Sequence, residues 1–80
     1  MDLLFFGIAK DIVGASQIKM DFGGKLPKSV SDLKSALKDK YPEFSKLSSL
    51  AVAVNSEYAD DNVQLQSSDE VAIIPPVSGG

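Results

Sequence analysis

The sequence predicts an α+β domain: a small mixed β-sheet, one main helix packed on one of its faces, and an extended C-terminal tail. Three observations predict it. Residues 16–22 alternate apolar and polar at period two, the mark of a half-buried strand. Val30, Leu33, Ala36 and Leu37 recur at helical spacing in the one stretch that can form a helix of three or more turns. The last apolar run, Val71 to Ile74, passes directly into Pro75-Pro76-Val77-Ser78-Gly79-Gly80.

Taken in order, residues 2–8 read as a strand rich in aromatic and branched residues, with Leu3 and Phe5 on one face and Leu4 and Phe6 on the other. Ala9 to Val13 read as one helical turn that Gly14 stops. Residues 16–22 form the second strand, with Ile18, Met20 and Phe22 inward. Gly23-Gly24 reads as a turn, since it lacks the other glycines and the Lys-Ser/Thr of a phosphate loop. Ser29 and Asp32 are spaced as a helix-capping pair, and Pro42 biases Tyr41 out of the helix. Residues 43–49 are a link anchored by Phe44 and Leu47. Leu50 to Val54 is a third strand, Asn55-Ser56 a tight turn and Glu57 to Ala59 a short returning strand. Val63 and Leu65 are expected to pack inward after a polar loop, and Val71 to Ile74 is the last strand.

If the last strand lies beside the first and parallel to it, this order is that of a β-grasp, the ubiquitin-like fold. One helix covers one sheet face. Leu4, Phe6 and Ile74 then point away from it and form an exposed apolar patch at the root of the tail, of a kind monomers seldom expose without a partner.

At 80 residues the chain is one small domain, read as a folded body over 1–75 and a tail over 76–80. With 44% apolar and 24% charged residues it is of globular composition. It holds no cysteine and no histidine, which removes disulfides, thiolate metal sites and every Ser-His or Cys-His arrangement. No metal site is expected. The net charge of −3 is uneven: residues 1–46 hold all eight lysines against six acids, and residues 47–80 hold five acids and no base. That acidic end suits a cationic protein pocket, and nothing forms the Arg-rich or aromatic-interleaved surface that nucleic acid needs. The apolar start is too short to span a bilayer and lacks a basic leader, so a cytoplasmic protein without membrane attachment is expected.

The tail combines opposite properties. Pro75 and Pro76 fix φ and favour an extended arm, whereas Gly79 and Gly80 carry no Cβ and can thread a narrow slot. Six extended residues reach about 19 Å at about 3.1 Å per residue. The reactive group such an arm offers is the terminal carboxylate of Gly80.

Four segments, Leu4-Phe5-Phe6-Gly7, Ile12-Val13-Gly14, Ala53-Val54-Asn55 and the run from Asp69-Glu70-Val71-Ala72 through Pro75-Pro76-Val77-Ser78-Gly79-Gly80, resemble the small subunits of molybdopterin synthase. The Pro-Pro-Val-Ser-Gly-Gly ending is the most specific part, because the thiamine-pathway sulfur carriers share only its Gly-Gly. The resemblance implies that an E1-like enzyme uses ATP to adenylate Gly80 and that a sulfur donor turns the adduct into a thiocarboxylate. It implies that Pro75, Pro76, Val77, Ser78 and Gly79 thread partner active sites, and that sulfur passes to cyclic pyranopterin monophosphate to build the molybdopterin dithiolene. It further implies a large synthase subunit as partner, in a heterotetramer of two small and two large subunits. The catalytic side chains are expected on that subunit, with Leu4, Phe6, Lys10 and Ile74 at the interface and no permanently bound cofactor. Lys10 departs from the Arg of many relatives, keeping the charge but losing bidentate hydrogen bonding. Alternatives are a carrier for thiamine or tRNA thiolation, a protein modifier, and a ubiquitin-like interaction module.

Overall fold

Strand β1 (Asp2–Phe5) turns its residues alternately to the two faces of the sheet, so that Leu3 and Phe5 are buried while Asp2 and Leu4 are half-buried. The computed structural model describes residues 1–19, 26–47 and 50–75. Beyond β1 come helix α1 (Ile8–Val13), β2 (Gln17–Lys19), helix α2 (Val30–Lys40), a 3₁₀ turn (Pro42–Lys46), β3 (Ala51–Val54), β4 (Glu57–Tyr58) and β5 (Glu70–Ile74). The five strands form one sheet in the order β2-β1-β5-β3-β4. The two neighbours β1 and β5 run parallel, with Leu3 opposite Val71 and Phe5 opposite Ile73, and the other pairings are antiparallel. This is the predicted mixed sheet, with its first and last strands side by side at the centre.

The helix stripe meets one face of it. Val30, Leu33 and Leu37 are buried with Leu3, Phe5, Val52, Val71 and Ile73 in a single core. Ser29 caps α2 through its side chain, which accepts the Asp32 N–H at 3.3 Å. The segment that follows β4 supplies further partners for the helix start: Asp61 C=O accepts from Ser31 N–H and Val63 C=O from Val30 N–H, each at 3.0 Å. Tyr41 leaves the helix with φ −127° and ψ 85°, as the following Pro42 requires. The link predicted over 43–49 is largely the 3₁₀ turn. It drives Phe44 fully into the core, where its ring lies 6.5 Å from that of Phe5.

Several expectations need correction. The first strand stops at Phe5 rather than continuing to Ile8, because Gly7, at φ 54° and ψ −131°, turns the chain out of the sheet and α1 starts at Ile8. The second strand spans Gln17–Lys19, with Ile18 half-buried between two exposed residues. The predicted continuation through Met20 and Phe22 lies outside the described residues. Leu65 packs inward as expected but Val63 is 37% exposed. Val63 does not sit in a strand: its segment meets residues 28–30 through a single antiparallel bridge, Ser29 with Gln64, and its carbonyl accepts from the start of α2. Gly14 ends α1 in the left-handed region at φ 84°, with its N–H on Lys10 C=O at 2.8 Å. Asn55 and Ser56, at φ 52° and 72°, make the tight hairpin turn in which both central residues take positive φ.

Candidate functional site: the tail root and the open face of the sheet

Parallel pairing of β1 with β5 brings the end of the first strand to the point where the chain leaves the last one. Phe5 is opposite Ile73, and the next residue, Phe6, donates its N–H to Ile73 C=O at 3.3 Å. Phe6 and Ile74 therefore lie beyond the buried pair on the side away from α2. Phe6 is 49% exposed and Leu4 and Ile74 are half-buried. The sheet face opposite the helix is thus apolar at the tail root.

Cross-strand register continues that face to the far edge. Gln17, Leu4, Ala72, Ala53 and Tyr58 stand opposite one another in a row through β2, β1, β5, β3 and β4. The centre of the row is small and flat. Its end is Tyr58, 79% exposed. The next row toward the tail pairs Ala51 with Ile74.

The tail root itself has a seat. A Cβ placed on Gly7 would lie 3.4 Å from Pro75 Cγ, so the bare Cα of Gly7 faces the proline ring at the start of the arm. Lys10 is exposed one turn into α1, on the segment that follows Gly7, and its N–H bonds to Gly7 C=O at 3.1 Å. Four of the predicted site residues, Leu4, Phe6, Ile74 and Pro75, thus converge on one end of the sheet, with Lys10 close by in sequence. Pro76, Val77, Ser78, Gly79 and Gly80 lie outside the described residues, as does the division between a body over 1–75 and a tail over 76–80.

Two exposed apolar residues escaped the sequence reading. The sequence places Tyr58 in a short strand without fixing its face; its place opposite Ala53 emerges only from the register. Ile8, which the sequence places in the first strand, is 49% exposed at the start of α1.

The opposite end of the sheet is built differently. Asn55 Nδ2 donates to Asp69 Oδ1 at 3.0 Å, Asn55 Oδ1 accepts from Glu70 N–H at 3.0 Å, and Asp69 Oδ2 accepts from Gln66 N–H at 2.8 Å. Asn55 and Asp69, both within the motifs singled out above, lock the β3–β4 turn onto the start of β5. Their part is architectural. An open depression beside them is edged by Tyr58, Val63 and Gln66. Acid is plentiful here: Glu57, Asp60, Asp61 and Glu70 are exposed, and Asp61 pairs with Lys34 at 2.7 Å. Among the described residues no group of three or more His, Cys, Asp or Glu side chains could hold a metal ion, and no helix is long and apolar enough to cross a membrane.

Comparison with known proteins agrees with this geometry. The model of the ThiS family matches residues 3–80. A molybdopterin synthase sulfur carrier subunit of Dictyostelium discoideum is 40% identical, with 98% of this chain and 93% of that protein covered. One of Caenorhabditis briggsae is 36% identical, with 98% and 94% covered. The crystal structure of SAMP1 from Haloferax volcanii superposes with a TM-score of 0.77 at 26% identity, covering 100% of this chain and 98% of that one. A protein–protein complex of subunits 1 and 2 of the molybdopterin-converting factor from Helicobacter pylori contains a chain that matches at 27% identity with a TM-score of 0.61, covering 99% of this chain and 96% of that one. With a mixed five-stranded sheet, one main helix and relatives of this kind along nearly its whole length, the chain belongs to the ThiS family, among the sulfur carrier subunits of molybdopterin synthase.

Proposed function

We propose that this chain carries sulfur on its C-terminus as the small subunit of molybdopterin synthase. The observation that carries the proposal is the coincidence of the exposed apolar face with the exit of the tail: Phe6 and Ile74 flank the strand end from which Pro75 leaves. A partner that seats itself on this face meets the start of the arm. The Helicobacter pylori complex supports a large subunit as that partner.

The chemistry follows from what the chain lacks. A carboxylate is a poor electrophile, and the sequence has no His or Cys to activate it. An E1-like enzyme joins the Gly80 carboxylate to the α-phosphate of ATP and releases pyrophosphate. Hydrosulfide supplied by the sulfur donor then attacks the acyl carbon and AMP leaves, which yields the thiocarboxylate. In the large subunit that sulfur attacks an oxygen-bearing carbon of cyclic pyranopterin monophosphate, the carbon–oxygen bond there breaks and its oxygen takes the electron pair and leaves, and hydrolysis of the acyl–sulfur bond returns the Gly80 carboxylate. Two carriers supply the two sulfurs of the dithiolene, in an assembly of two small and two large subunits. The acid-base side chains belong to the large subunit, Lys10 stands at the interface with Leu4, Phe6 and Ile74, and the cycle runs in the cytoplasm. Because the tail visits two active sites in turn, an arm that detaches suits the task better than a buried site.

The likeness to SAMP1, a small archaeal modifier protein, favours a protein modifier as the second reading. Intact mass after incubation with an E1-like enzyme, ATP and a sulfur source tests the two together. One S-for-O exchange at the terminus is expected of the carrier. Adducts on lysines without that exchange favour the modifier, and an unchanged mass overturns both.

A further inference from the structure

Gly7 faces Pro75, since a Cβ there would lie 3.4 Å from Pro75 Cγ. The residues on either side of Gly7 are both large, apolar and 49% exposed: Phe6 just after β1 and Ile8 at the start of α1. Gly7 at φ 54° turns the chain between them, so Ile8 leaves the sheet while Phe6 stays beside Ile73. The arm thus emerges beside a sharp bend that carries one apolar side chain before it and one after it. An isolated exposed apolar residue needs no explanation, but two that border the same exit put apolar surface on both sides of it. Burying Ile8 inside the domain is not an option for this fold, because Ala9 takes the buried position of α1.

We propose that Ile8 and Phe6 form an apolar collar at the exit of the tail, and that the large synthase subunit covers both when the arm lies in its active site. This rests on the carrier function proposed above. The occupant follows from reach. Five residues remain beyond Pro75, about 16 Å of extended chain at about 3.1 Å per residue. For Gly80 to reach a reacting centre inside a partner, the mouth of the partner's channel must close on the tail root, where Ile8 stands. The matching surface on the large subunit is an apolar rim around that mouth, with an acidic group to meet Lys10.

The test is a titration of the full-length chain against the large subunit, paired with thermal unfolding of the free chain. Ile8→Glu is the informative variant. An acidic residue in the first turn of a helix is favourable to the fold, so its unfolding temperature is expected to stay within a few degrees of the parent while affinity falls at least tenfold. Ile8→Gln, uncharged, is expected to weaken binding at least fivefold, and Ile8→Leu to restore it. Affinities of Ile8→Glu and Ile8→Gln within twofold of the parent, beside a clear loss for Phe6→Ala, overturn the collar and leave the carrier function standing. Loss for Ile8→Glu with none for Ile8→Gln also overturns it, since charge repulsion alone is then at work. So does an effect confined to the activating enzyme, or to self-association of the free chain. A parent chain that does not bind the large subunit overturns the carrier function itself.

Discussion

Phe5 and Phe6 are adjacent and chemically identical, and the fold assigns them opposite tasks. Phe5 is 2% exposed, stacked 6.5 Å from Phe44 and paired with Ile73. Truncating it to alanine removes its transfer energy and leaves a cavity beneath α2, a combination that costs about 3–5 kcal/mol. A domain of 80 residues has about 4–12 kcal/mol in total at about 0.05–0.15 kcal/mol per residue. Phe5→Ala therefore brings the domain close to unfolding and lowers Tm by more than about 12 °C, at about 4–8 °C per kcal/mol. Phe6 is 49% exposed. Full burial of such a side chain is worth about 1.5–3 kcal/mol, so half of it gives Phe6→Ala a cost of about 1 kcal/mol and a Tm shift of a few degrees. Binding reverses the order. An aromatic anchor at the centre of an interface is worth about 2 kcal/mol or more, which lowers the affinity of Phe6→Ala for the large subunit about thirtyfold. Denaturant and thermal unfolding of both variants, with titrations of those that stay folded, measure each quantity. Equal destabilisation by the two truncations would refute the division of faces, and unfolding by Phe6→Ala alone would reverse it.

Deleting Gly80, or adding one residue after it, is expected to abolish sulfur transfer while leaving the unfolding curve in place, as activity and Tm measured on the same preparation will show. Gly79→Val is expected to block adenylation with a stability change under about 0.5 kcal/mol, because a branched side chain fills a narrow channel and excludes positive φ; unaltered adenylation kinetics would contradict a threaded arm. Asn55→Ala is expected to cost about 2 kcal/mol in denaturant titrations. It removes the bonds to Asp69 and the Glu70 N–H and leaves at φ 52° a residue without the short amide side chain that lets asparagine tolerate the left-handed region. Because Asn55 is at the end of the sheet opposite the tail, its affinity for the large subunit is expected to hold.

How far the sequence carries the structure differs from element to element. Helix α2 was legible because three local signals agree: the stripe of Val30, Leu33 and Leu37, the cap at Ser29 and the stop at Pro42. The two faces of β1 were legible because a strand has only two, and one helix can bury only one. The end of β1 was not, since Leu4, Phe6 and Ile8 continue the alternation past the point where Gly7 breaks it. Val63 was misplaced for a related reason: two apolar residues at spacing two resemble a strand, but the carbonyls of that segment serve the start of α2 instead. Of the candidate site, the apolar root at Leu4, Phe6 and Ile74 could be read from alternation. Tyr58 could not, because its membership of the same face depends on the pairing of Ala53 with both Ala72 and Tyr58, which is a property of register. The architectural tie between Asn55 and Asp69 was equally hidden, since it joins residues 14 positions apart through side chains that sequence reading takes for ordinary turn formers.

The most direct test of the carrier function begins with the chain already bearing a thiocarboxylate on Gly80. Mixed with the large subunit and cyclic pyranopterin monophosphate, without ATP or activating enzyme, it is expected to lose its sulfur and return to the carboxylate as dithiolene appears, two carriers consumed for each product. The measurement is intact mass of the carrier against dithiolene formed over the same time course. A thiocarboxylate that persists unchanged beside the large subunit and the pterin, or dithiolene that forms equally well with a chain lacking Gly80, would contradict the account.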